Sequence, residues 1–425
     1  MRYFFILGSN AVLSSAEIIA LLDGRYFTIT ATYKHALIVD AVEGQKLNVE
    51  QMMSRLGGTV KIGEIIEEDL DIIPDVIINK CSEYLLGRED VGGKLVFGYS
   101  VYSLNAESPA RHAATVFGKV KRVGMIVKKR LNEAGRNARW VTNKQGSDLS
   151  SVIVAKNDLI EYGAEFVVLA KGDKFHLGVT KIVQPFEEFS QSDYGRPERD
   201  TVQGMLPPKL ARIMVNLIHV SRELKDLKLL DPFCGSGTIL SESLKVGFTH
   251  IIGSDKNKVA VESTQKNLDW MSDHWLEAHP EFTFDLRVSD AREIGNLLPA
   301  ASVDAIVTEP YLGPPMKGRE SRGQMQKQLH ELSRLYRESL TNWRKCLKPG
   351  SPVVIALPVY IYGLEKHGIS LKEILPKGYS PDPLMPSMML SRLGTKETKN
   401  RGLLYGRLKQ HVWREIIRLR YEPEG

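Results

Sequence analysis

The sequence predicts a multidomain α/β protein, in which a carboxyl-terminal, doubly wound, mostly parallel sheet follows an amino-terminal α+β region. Two observations support this prediction. From about residue 204 onward, short apolar runs typical of strands alternate with helical stretches, which is the pattern of a parallel sheet with crossover helices. A final pair of strands, predicted at residues 387–392 and 401–407, would form an antiparallel hairpin at the edge of this sheet. In residues 1–68 the predicted order is strand, helix, strand, strand, helix, strand, the order of a ferredoxin-like unit. A chain of 425 residues has room for two or three domains.

The amino-terminal elements divide into two units and a connection. In the first unit, residues 1–68, we predict helices at 14–22 and 49–56 and a strand at 36–42. The second unit, residues 69–185, combines a basic helical segment with strands predicted at 96–103, near 152–154, and at 166–170 and 175–180. Residues 186–203 are polar, so we predict a linker to the carboxyl-terminal domain, residues 204–425.

The most informative stretch is Asp-Pro-Phe-Cys-Gly-Ser-Gly-Thr at residues 231–238. It follows a short apolar run and precedes a helical one, so it is a glycine-rich turn between a strand and a helix, where the backbone can approach a ligand closely. Asp231 at the end of the strand would repel a pyrophosphate but favours a cation, such as the sulfonium and amino group of S-adenosylmethionine. The turn therefore predicts a methyl-donor site. Its residues are Asp231, Phe233, Gly235, Gly237 and Thr238.

Two further strand ends carry carboxylates that suit the same donor. Asp255 lies about 20 residues beyond the glycines, the spacing at which an acid accepts hydrogen bonds from ribose hydroxyls. Asp290 and Ala291 follow a third strand, where Asp290 would accept from an adenine amino group. Each aspartate alone is also a common helix cap. Cys234, within the turn, has no evident partner base, so a small residue fitted to the turn explains it better than a nucleophile.

The fourth predicted strand, residues 303–308, ends in Glu309-Pro310-Tyr311. Methyltransferases that act on exocyclic amines place Asp or Asn, Pro, Pro and Tyr or Phe here. The amine lone pair is delocalised into the base, so a carboxylate oxygen and a proline carbonyl must accept hydrogen bonds from the amino group. Tyr311 would stack on the extruded base. Glu in place of Asp, and Tyr-Leu in place of Pro-Tyr, depart from that pattern, and a proline-rich strand exit without a catalytic role is the alternative.

Several stretches together resemble the THUMP-containing tRNA guanosine-N2-methyltransferases of archaea and eukaryotes, which modify position 10. The resemblance is carried by residues 194–200, 204–208, 231–238, 404–407 and 412–416. It implies a class I, Rossmann-like methyltransferase domain at 204–425, S-adenosylmethionine as donor, and tRNA as substrate. It also implies that residues 69–185 are a THUMP domain that recognises the acceptor end of tRNA. Eukaryotic members need a small activating partner protein and archaeal members act alone, so a partner is left open.

The segment from Arg111 to Lys144 is strongly basic. It contains ten Lys and Arg against one acid, Glu133, so it carries +9 while the rest of the chain sums to −3. Valines and a leucine at helical spacing predict that one face is buried. The opposite face is either an ordinary solvated surface or a phosphate-contacting surface, and we favour the second. Its predicted RNA-binding residues are Lys119, Arg122, Lys129, Arg130, Arg136 and Arg139, bordered by Lys144 and by Trp140, which is equally suited to the core.

Composition excludes several classes of protein. With 43% hydrophobic and 25% charged residues the chain is an ordinary globular protein. Cys81, Cys234 and Cys346 are far apart and form no CxxC pair, so neither a disulfide framework nor a zinc site is indicated, and no metal is expected. The first residues lack the apolar core of a signal peptide and no run is long enough to span a bilayer, so a cytoplasmic location is expected.

Three other functions remain open from the sequence. A DNA amino-methyltransferase would use the same donor turn and fourth-strand loop, although it would leave the amino-terminal half unexplained. A non-catalytic tRNA-binding protein would account for the altered Glu-Pro-Tyr-Leu loop. A tRNA-thiolating enzyme would need a Ser-Gly-Gly-x-Asp-Ser type loop, which the sequence lacks.

Overall fold

The structure is a computed structural model that describes residues 1–89, 92–105, 107–143, 146–199, 205–275, 282–316, 318–407 and 410–423. Within these residues the chain forms two sheets, one in each half. None of the described helices combines the length and the apolar character needed to cross a membrane.

The first unit has the predicted strand and helix order. Its elements are β1 Arg2–Leu7, α1 Ala11–Leu21, β2 Phe27–Thr32, β3 Ala36–Ala41, α2 Val49–Arg55 and β4 Thr59–Asp71. Both helices begin at an asparagine whose side chain accepts from a backbone N–H three residues on, Asn10 from Leu13 and Asn48 from Gln51. The predicted βαββαβ order is therefore confirmed.

The second unit differs from its prediction in two places. Its elements are α3 Pro74–Leu86, β5 Leu95–Ser103, α4 Pro109–Val120, α5 Val123–Glu133, β6 Ala138–Val141, α6 Ser151–Lys156, β7 Gly163–Lys171 and β8 Lys174–Val183. The basic segment forms two helices, α4 and α5. The strand predicted near residues 152–154 is wrong, because those residues belong to α6. The side chain of Ser150 caps that helix by accepting from Ile153 N, which outweighs the strand preference of Val-Ile-Val.

The two amino-terminal units share one eight-stranded sheet in the order β2-β3-β1-β4-β8-β7-β5-β6. β4 pairs with β1 and with β8, so the boundary predicted between residues 68 and 69 lies inside a strand. The fully buried Lys61 on β4 forms an ion pair with Glu165 on β7 and donates to the Leu149 carbonyl at 2.6 Å. A buried charge needs such partners, so this cluster ties the two units together.

The carboxyl-terminal half begins with helices and continues as alternating strands and helices. The elements before and within the parallel part are α7 Phe186–Ser190, α8 Pro208–Asn216, β9 Lys228–Asp231, α9 Thr238–Val246, β10 His250–Asp255, α10 Lys258–Trp275, β11 Thr283–Val288, α11 Ile294–Leu297, β12 Ala305–Thr308, α12 Arg322–Trp343 and β13 Pro352–Tyr362. The predicted linker is helical at its start, where α7 runs into a π-helical turn, Gln191–Gly195. Residues 200–203 lie outside the described part of the chain.

The sheet closes with antiparallel elements. These are β14 Glu365–Gly368, α13 Leu371–Ile374, β15 Tyr379–Pro381, α14 Ser387–Arg392, β16 Leu403–Tyr405 and β17 Val412–Tyr421. The strand order is β11-β10-β9-β12-β13-β17-β15, with neighbours parallel from β11 to β13 and antiparallel at β17. The doubly wound sheet is thus confirmed.

The final strand pair was predicted in the wrong place. Residues 387–392 form α14, and only 403–405 of the second predicted strand are extended. The long antiparallel strand is β17, which pairs with β13 over nine residues. The run Ser-Met-Met-Leu-Ser-Arg buries Leu390 but leaves Met388 63% exposed, a one-sided pattern that suits a helix directly after Pro386.

The two halves are joined by a buried polar contact between α1, α2 and α8. The Glu17 carboxylate, fully buried, accepts from Gly57 N and Gly58 N, both at 2.8 Å, and from Asn216 Nδ2 at 2.8 Å. Arg212 Nη1 donates to the Ser54 carbonyl at 3.1 Å. Because the Glu17, Asn216 and Arg212 side chains find partners across this contact, the ferredoxin-like unit is held in a fixed position on the carboxyl-terminal domain.

Candidate active site

The glycine-rich turn is held tightly between β9 and α9. Gly235 and Gly237 adopt φ values of 53° and 81°, in the left-handed region that favours glycine. A Cβ on Gly237 would lie 2.9 Å from Thr264 Cγ2. The Thr264 hydroxyl in turn donates to the Gly235 carbonyl at 2.8 Å. Helix α10 therefore fixes the backbone of the turn, as a site that grips a ligand through backbone atoms requires.

Asp231 is a buried carboxylate at the carboxyl end of β9. It is 1% exposed, and its Oδ1 accepts from the Thr308 hydroxyl at 2.7 Å and from Phe233 N at 3.2 Å. Burial raises the pKa of Asp231 to about 7, the two hydrogen bonds oppose that rise, and the nearby carboxylates Asp255 and Glu309 add to it. Three acids thus converge here, which favours a cationic ligand.

Asp255 and Asp290 lie at the ends of β10 and β11 but have different partners. The Asp255 carboxylate accepts from Gly235 N at 3.2 Å and from Asn257 N at 2.9 Å, so it adjoins the glycine turn. Asp290 accepts from Arg292 through both oxygens, at 2.9 and 2.8 Å, and these hydrogen bonds lower the pKa of Asp290. A ligand amino group would have to share the Asp290 carboxylate with Arg292.

Phe233 and Ala291 form the apolar wall of the site. The Phe233 ring meets the Trp343 indole edge to face, with centroids 6.5 Å apart. Trp343 Nε1 donates to the Ala291 carbonyl at 2.9 Å. The fully buried Trp343 thereby positions both of these predicted residues.

Residues 196–198 cover the outer side of the turn, and this contact adds Arg196 and Asn267, which were not predicted, to the site. Arg196 Nη1 donates to Thr238 Oγ1 at 2.7 Å. Asn267 Nδ2 donates to the Ser236 carbonyl at 2.8 Å and to the Glu198 carbonyl at 3.0 Å. Asn267 is 2% exposed. The sequence signal that could have identified it is a polar residue among the apolar positions of a helix.

The fourth-strand loop places Glu309 directly after Thr308, the residue that binds Asp231. The Glu309 carboxylate forms an ion pair with Arg414 on β17, in which Arg414 Nε donates to Oε1 and Nη2 donates to Oε2 at 3.3 Å. Both side chains are largely buried, at 15% and 11% exposed. Burial alone would lower the pKa of Arg414, but the Glu309 charge and hydrogen bonds outweigh it and raise that pKa. Arg414 therefore holds the Glu309 carboxylate in one orientation.

The rest of the loop is anchored through its backbone. Pro310 is buried, and the Tyr311 and Leu312 carbonyls accept from the Tyr336 hydroxyl at 2.6 Å and the Tyr360 hydroxyl at 2.8 Å. The Tyr311 side chain is 45% exposed. Two buried tyrosines thus fix the loop while leaving the aromatic ring of Tyr311 accessible for stacking.

The arrangement at the carboxyl edge of the sheet suits a cationic donor and an amine acceptor. Asp231 and Asp255 supply acceptor oxygens beside a glycine turn, and Glu309 supplies a fixed carboxylate on the neighbouring strand. Carboxylates, fixed backbone and an apolar wall fit the sulfonium, ribose and adenine of S-adenosylmethionine. Among the described residues no group of His, Cys, Asp and Glu is arranged to hold a metal ion.

The basic segment lies in the other half of the molecule, on α4, α5 and β6. Val116, Val120, Val123, Val127 and Leu131 are buried as predicted. Among the six predicted RNA-binding residues, Lys119, Arg122, Lys129, Arg130 and Arg139 are exposed and Arg136 is half-buried. Four of these form local contacts: Arg130 with Asn79, Arg139 with Asn157, Arg136 with the Arg88 carbonyl, and Lys129 with Glu133 at 3.7 Å. Trp140 is partly buried against this core, and Lys144 lies outside the described residues.

Comparison with known proteins gives a family for part of the chain. Residues 196–360 match the model of the RMKL-like methyltransferase domain family. A tRNA (guanine(10)-N2)-dimethyltransferase of Methanothermobacter thermautotrophicus is 33% identical over 192 residues, 44% of this chain and 49% of that protein. A Pyrococcus abyssi protein of the same name is 33% identical over 108 residues, 25% of this chain and 29% of its own length. The matched region thus spans about half or less of these relatives.

Solved structures share the fold over the whole chain. TrmN from Thermus thermophilus has a TM-score of 0.54 and 15% sequence identity, covering 99% of this chain and 100% of its own. A possible methylase from Clostridium difficile 630 has a TM-score of 0.51 and 14% identity, covering 100% and 99%. At this identity the likeness shows the fold alone, a doubly wound α/β domain preceded by an amino-terminal α+β region.

Proposed function

We propose that this chain transfers a methyl group from S-adenosylmethionine to the exocyclic N2 amine of a guanosine in tRNA, and that this guanosine is at position 10. Residues 196–360, which match the RMKL-like methyltransferase domain family, would carry out the transfer. The observation that carries the proposal is the link between Thr308 and Asp231. This hydrogen bond joins the predicted donor turn to the strand that ends in Glu309. The names of the curated relatives support guanosine in tRNA as the substrate.

Each loop has a separate part in the proposed reaction. S-adenosylmethionine would supply a methyl carbon made electrophilic by the sulfonium. Asp231 and Asp255, with the turn from Gly235 to Gly237, would bind the donor, and Phe233 and the Asp290–Ala291 strand end would enclose its adenine.

Glu309 and Pro310 would act on the acceptor amine. A carboxylate has about four lone-pair sites, and Arg414 uses one on each oxygen of Glu309, so acceptor capacity remains for an amino hydrogen. The Pro310 carbonyl would accept the second hydrogen, which directs the nitrogen lone pair at the methyl carbon. The nitrogen would take the methyl group as the bond from that carbon to sulfur breaks, and it would then release a proton to water. Tyr311 would stack on the extruded base.

The amino-terminal half would position the tRNA. We propose that residues 69–185 are a THUMP domain and that the exposed Lys119, Arg122 and Lys129 contact phosphates. The ferredoxin-like unit is held against α8 by Glu17, which supports a fixed distance between the tRNA grip and the active site. The three cysteines are free and buried, which agrees with the reducing cytoplasm as its compartment.

Inosine substitution tests this function at the reacting atom. Purified protein and labelled donor would be incubated with a tRNA transcript and with the same transcript carrying inosine at position 10, which lacks the exocyclic amine. We expect the label to enter the first transcript and not the second. Equal labelling of both would move the target to another nucleotide. Tight tRNA binding without donor binding would instead indicate a non-catalytic tRNA-binding protein.

A further inference from the structure

The β13–β14 hairpin projects beyond the edge of the sheet at which the candidate active site lies. β12 ends at Thr308, which pairs with Ile355 of β13. From there β13 continues as far as Tyr362 before the chain turns back into β14. At about 3.3 Å per residue the hairpin extends on the order of 20 Å past the end of β12. It is therefore long enough to reach a large substrate bound at that edge.

The second strand of the hairpin lies in line with β12. Val359 and Tyr360 each pair with both β14 and β17, so these two strands lie on opposite sides of β13. Residues 353–355 pair with both β12 and β17, so β12 and β17 also lie on opposite sides of β13. β12 and β14 therefore share one side of β13. The loop after β12 leaves the sheet between them, where its Leu312 carbonyl accepts from the Tyr360 hydroxyl at 2.8 Å.

The tip of the hairpin is a tight turn that presents Leu364. Tyr362 pairs with Glu365, so Gly363 and Leu364 form a two-residue turn. Gly363 has a φ of 58°, which suits glycine at the first position of such a turn. The Leu364 side chain is fully exposed. Single exposed leucines are common on protein surfaces, so it is the position of Leu364, at the point of the hairpin farthest from the sheet, that indicates a function.

Two side-chain contacts hold the hairpin against neighbouring elements. The Lys366 ammonium lies over the Trp413 ring on β17, 4.6 Å from its centroid. Glu365 forms an ion pair with Arg322, the first residue of α12. Together with the hydrogen bond from Tyr360, these contacts fix the hairpin relative to the loop that carries the proposed catalytic residues.

The surroundings of the hairpin have a net positive charge. Arg319, Arg322 and Lys366 are exposed there. The acids of the same two segments are Glu320 and Glu365, and Glu365 is paired with Arg322. A basic surface around an apolar tip suits the phosphates and stacked bases of RNA better than it suits an apolar protein partner.

We propose that Leu364 enters the base stack of the tRNA beside the target guanosine and fills the space that this base leaves when it is extruded toward Glu309. This role rests on the proposed methyl transfer to tRNA. Extrusion costs the stacking and pairing of the base, and an apolar side chain inserted into the stack offsets part of that cost. The guanine N2 amine lies in the minor groove, which is wide and shallow in RNA helices, so a hairpin tip can reach the step beside it.

A fluorescent base tests the extrusion directly. A tRNA transcript with 2-aminopurine at position 10 would be titrated with the full chain and S-adenosylhomocysteine, which cannot donate a methyl group. The fluorescence of 2-aminopurine is quenched by stacking and rises on extrusion, so wild type should increase it. Leu364→Ala should reduce this increase several-fold at saturating protein. Leu364→Met, which keeps an apolar side chain of similar reach, should stay within about twofold of wild type.

A matched leucine controls for the loss of exposed apolar surface. Leu297, at the end of α11, is 51% exposed, and Leu297→Ala should leave both the fluorescence increase and kcat unchanged. Leu364→Ala should lower kcat for methylation about tenfold or more, with donor affinity unchanged. A fluorescence increase and a kcat for Leu364→Ala equal to those of Leu297→Ala would overturn the proposal.

An abasic transcript separates a role in extrusion from a structural role. When the nucleotide opposite the target guanosine lacks its base, extrusion loses no base pair, so Leu364→Ala should return to within about threefold of wild-type kcat. An equal loss of kcat on intact and abasic transcripts would contradict the proposal. Absence of guanosine methylation by wild type would overturn the proposed function and this role together. Wild-type methylation with an unaffected Leu364→Ala would overturn this role alone.

Discussion

The carboxylate of Glu309 is paired with the guanidinium of Arg414, 105 residues further along the chain. Glu309 directly follows β12, the fourth strand of the parallel sheet, and Arg414 lies on the antiparallel strand β17. A planar guanidinium that donates to both oxygens sets the orientation of a carboxylate as well as its charge. The extra methylene of Glu, relative to Asp in related loops, is thus accompanied by a partner that fixes its position.

Replacing Arg414 with lysine should reduce turnover while leaving donor binding intact. Lysine keeps the charge but cannot donate in the same two-pronged geometry, so we expect kcat to fall about 10- to 100-fold, as for misplaced catalytic groups. Donor affinity by calorimetry should stay within about twofold. Arg420→Lys is the control, because Arg420 lies on the same strand as Arg414 and forms its ion pair with a different carboxylate, Asp382. A kcat for Arg414→Lys equal to that of this control would show that the pair has no part in turnover.

Removing the Glu309 carboxylate should abolish turnover. For Glu309→Ala we expect no measurable methylation and normal donor binding, because the amine would lose its acceptor. If methylation survives within about tenfold of wild type, a polarising role worth more than roughly 1.4 kcal/mol is excluded.

Asp231→Asn should weaken donor binding and change the pH dependence of stability. The pKa of Asp231 is raised by burial to about 7, from 3.8. The folded state therefore keeps this proton to a higher pH than the unfolded state does. As a result, the contribution of Asp231 to the wild-type free energy of unfolding is greatest at low pH and falls as the pH rises toward 7. Between about pH 4 and 7 the free energy of unfolding of the variant should rise, relative to that of wild type, by up to about 1.4 kcal/mol per pH unit.

Urea unfolding at pH 5, 6, 7 and 8 measures this difference, with the exposed Asp226→Asn as control. Parallel stability profiles for Asp231→Asn and wild type would mean that Asp231 is not a buried acid of raised pKa. Donor affinity should fall at least tenfold in Asp231→Asn at pH 8, where the wild-type carboxylate is mostly charged.

Charge reversal on the basic surface should weaken tRNA binding without affecting the donor. Lys129→Glu should lower tRNA affinity several-fold at low salt and reduce the salt dependence by about one phosphate contact. Lys225→Glu is the matched control. Lys225 is exposed just before the amino-terminal end of β9, whereas the candidate active site lies at the carboxyl end of that strand. Equal effects of the two substitutions would mean that only net charge matters and that the segment is an ordinary solvated surface.

Glu17→Ala should loosen the contact between the two halves. It would leave the Gly57 and Gly58 N–H groups and the Asn216 amide without their acceptor. Buried donors left unpaired cost about 1–3 kcal/mol each, so the free energy of unfolding should fall by at least about 2 kcal/mol. Glu50→Ala, on the exposed side of α2, should change it little. Similar unfolding midpoints for both variants would exclude this role for Glu17.

The parallel strands could be predicted from sequence because buried strands appear as continuous apolar runs. The glycine turn and the acids at the carboxyl ends of β9 and β10 could be predicted from the same local pattern. Residues 152–154 and 387–392 are also apolar and short, so the same signal predicted strands where capping and one-sided burial produce helices. A short apolar run does not by itself distinguish the two.

The partners of the site residues could not be predicted in this way. The contacts Arg414–Glu309 and Asn267–Ser236 join residues that are 105 and 31 positions apart. Such pairs depend on how strands and helices meet in the folded chain, and no periodicity in one segment records them. The shared eight-stranded sheet was missed for the same reason, since β4 completes one unit and begins the next.

Methyl transfer to a guanosine amine in tRNA is the reaction that we propose for this protein. The most direct measurement offers the purified protein labelled S-adenosylmethionine with unmodified tRNA transcripts and, separately, duplex DNA, followed by digestion to nucleosides and mass spectrometry. We expect N2-methylated guanosine from tRNA and no product from DNA. Label on adenine, or label in DNA in preference to tRNA, would contradict it.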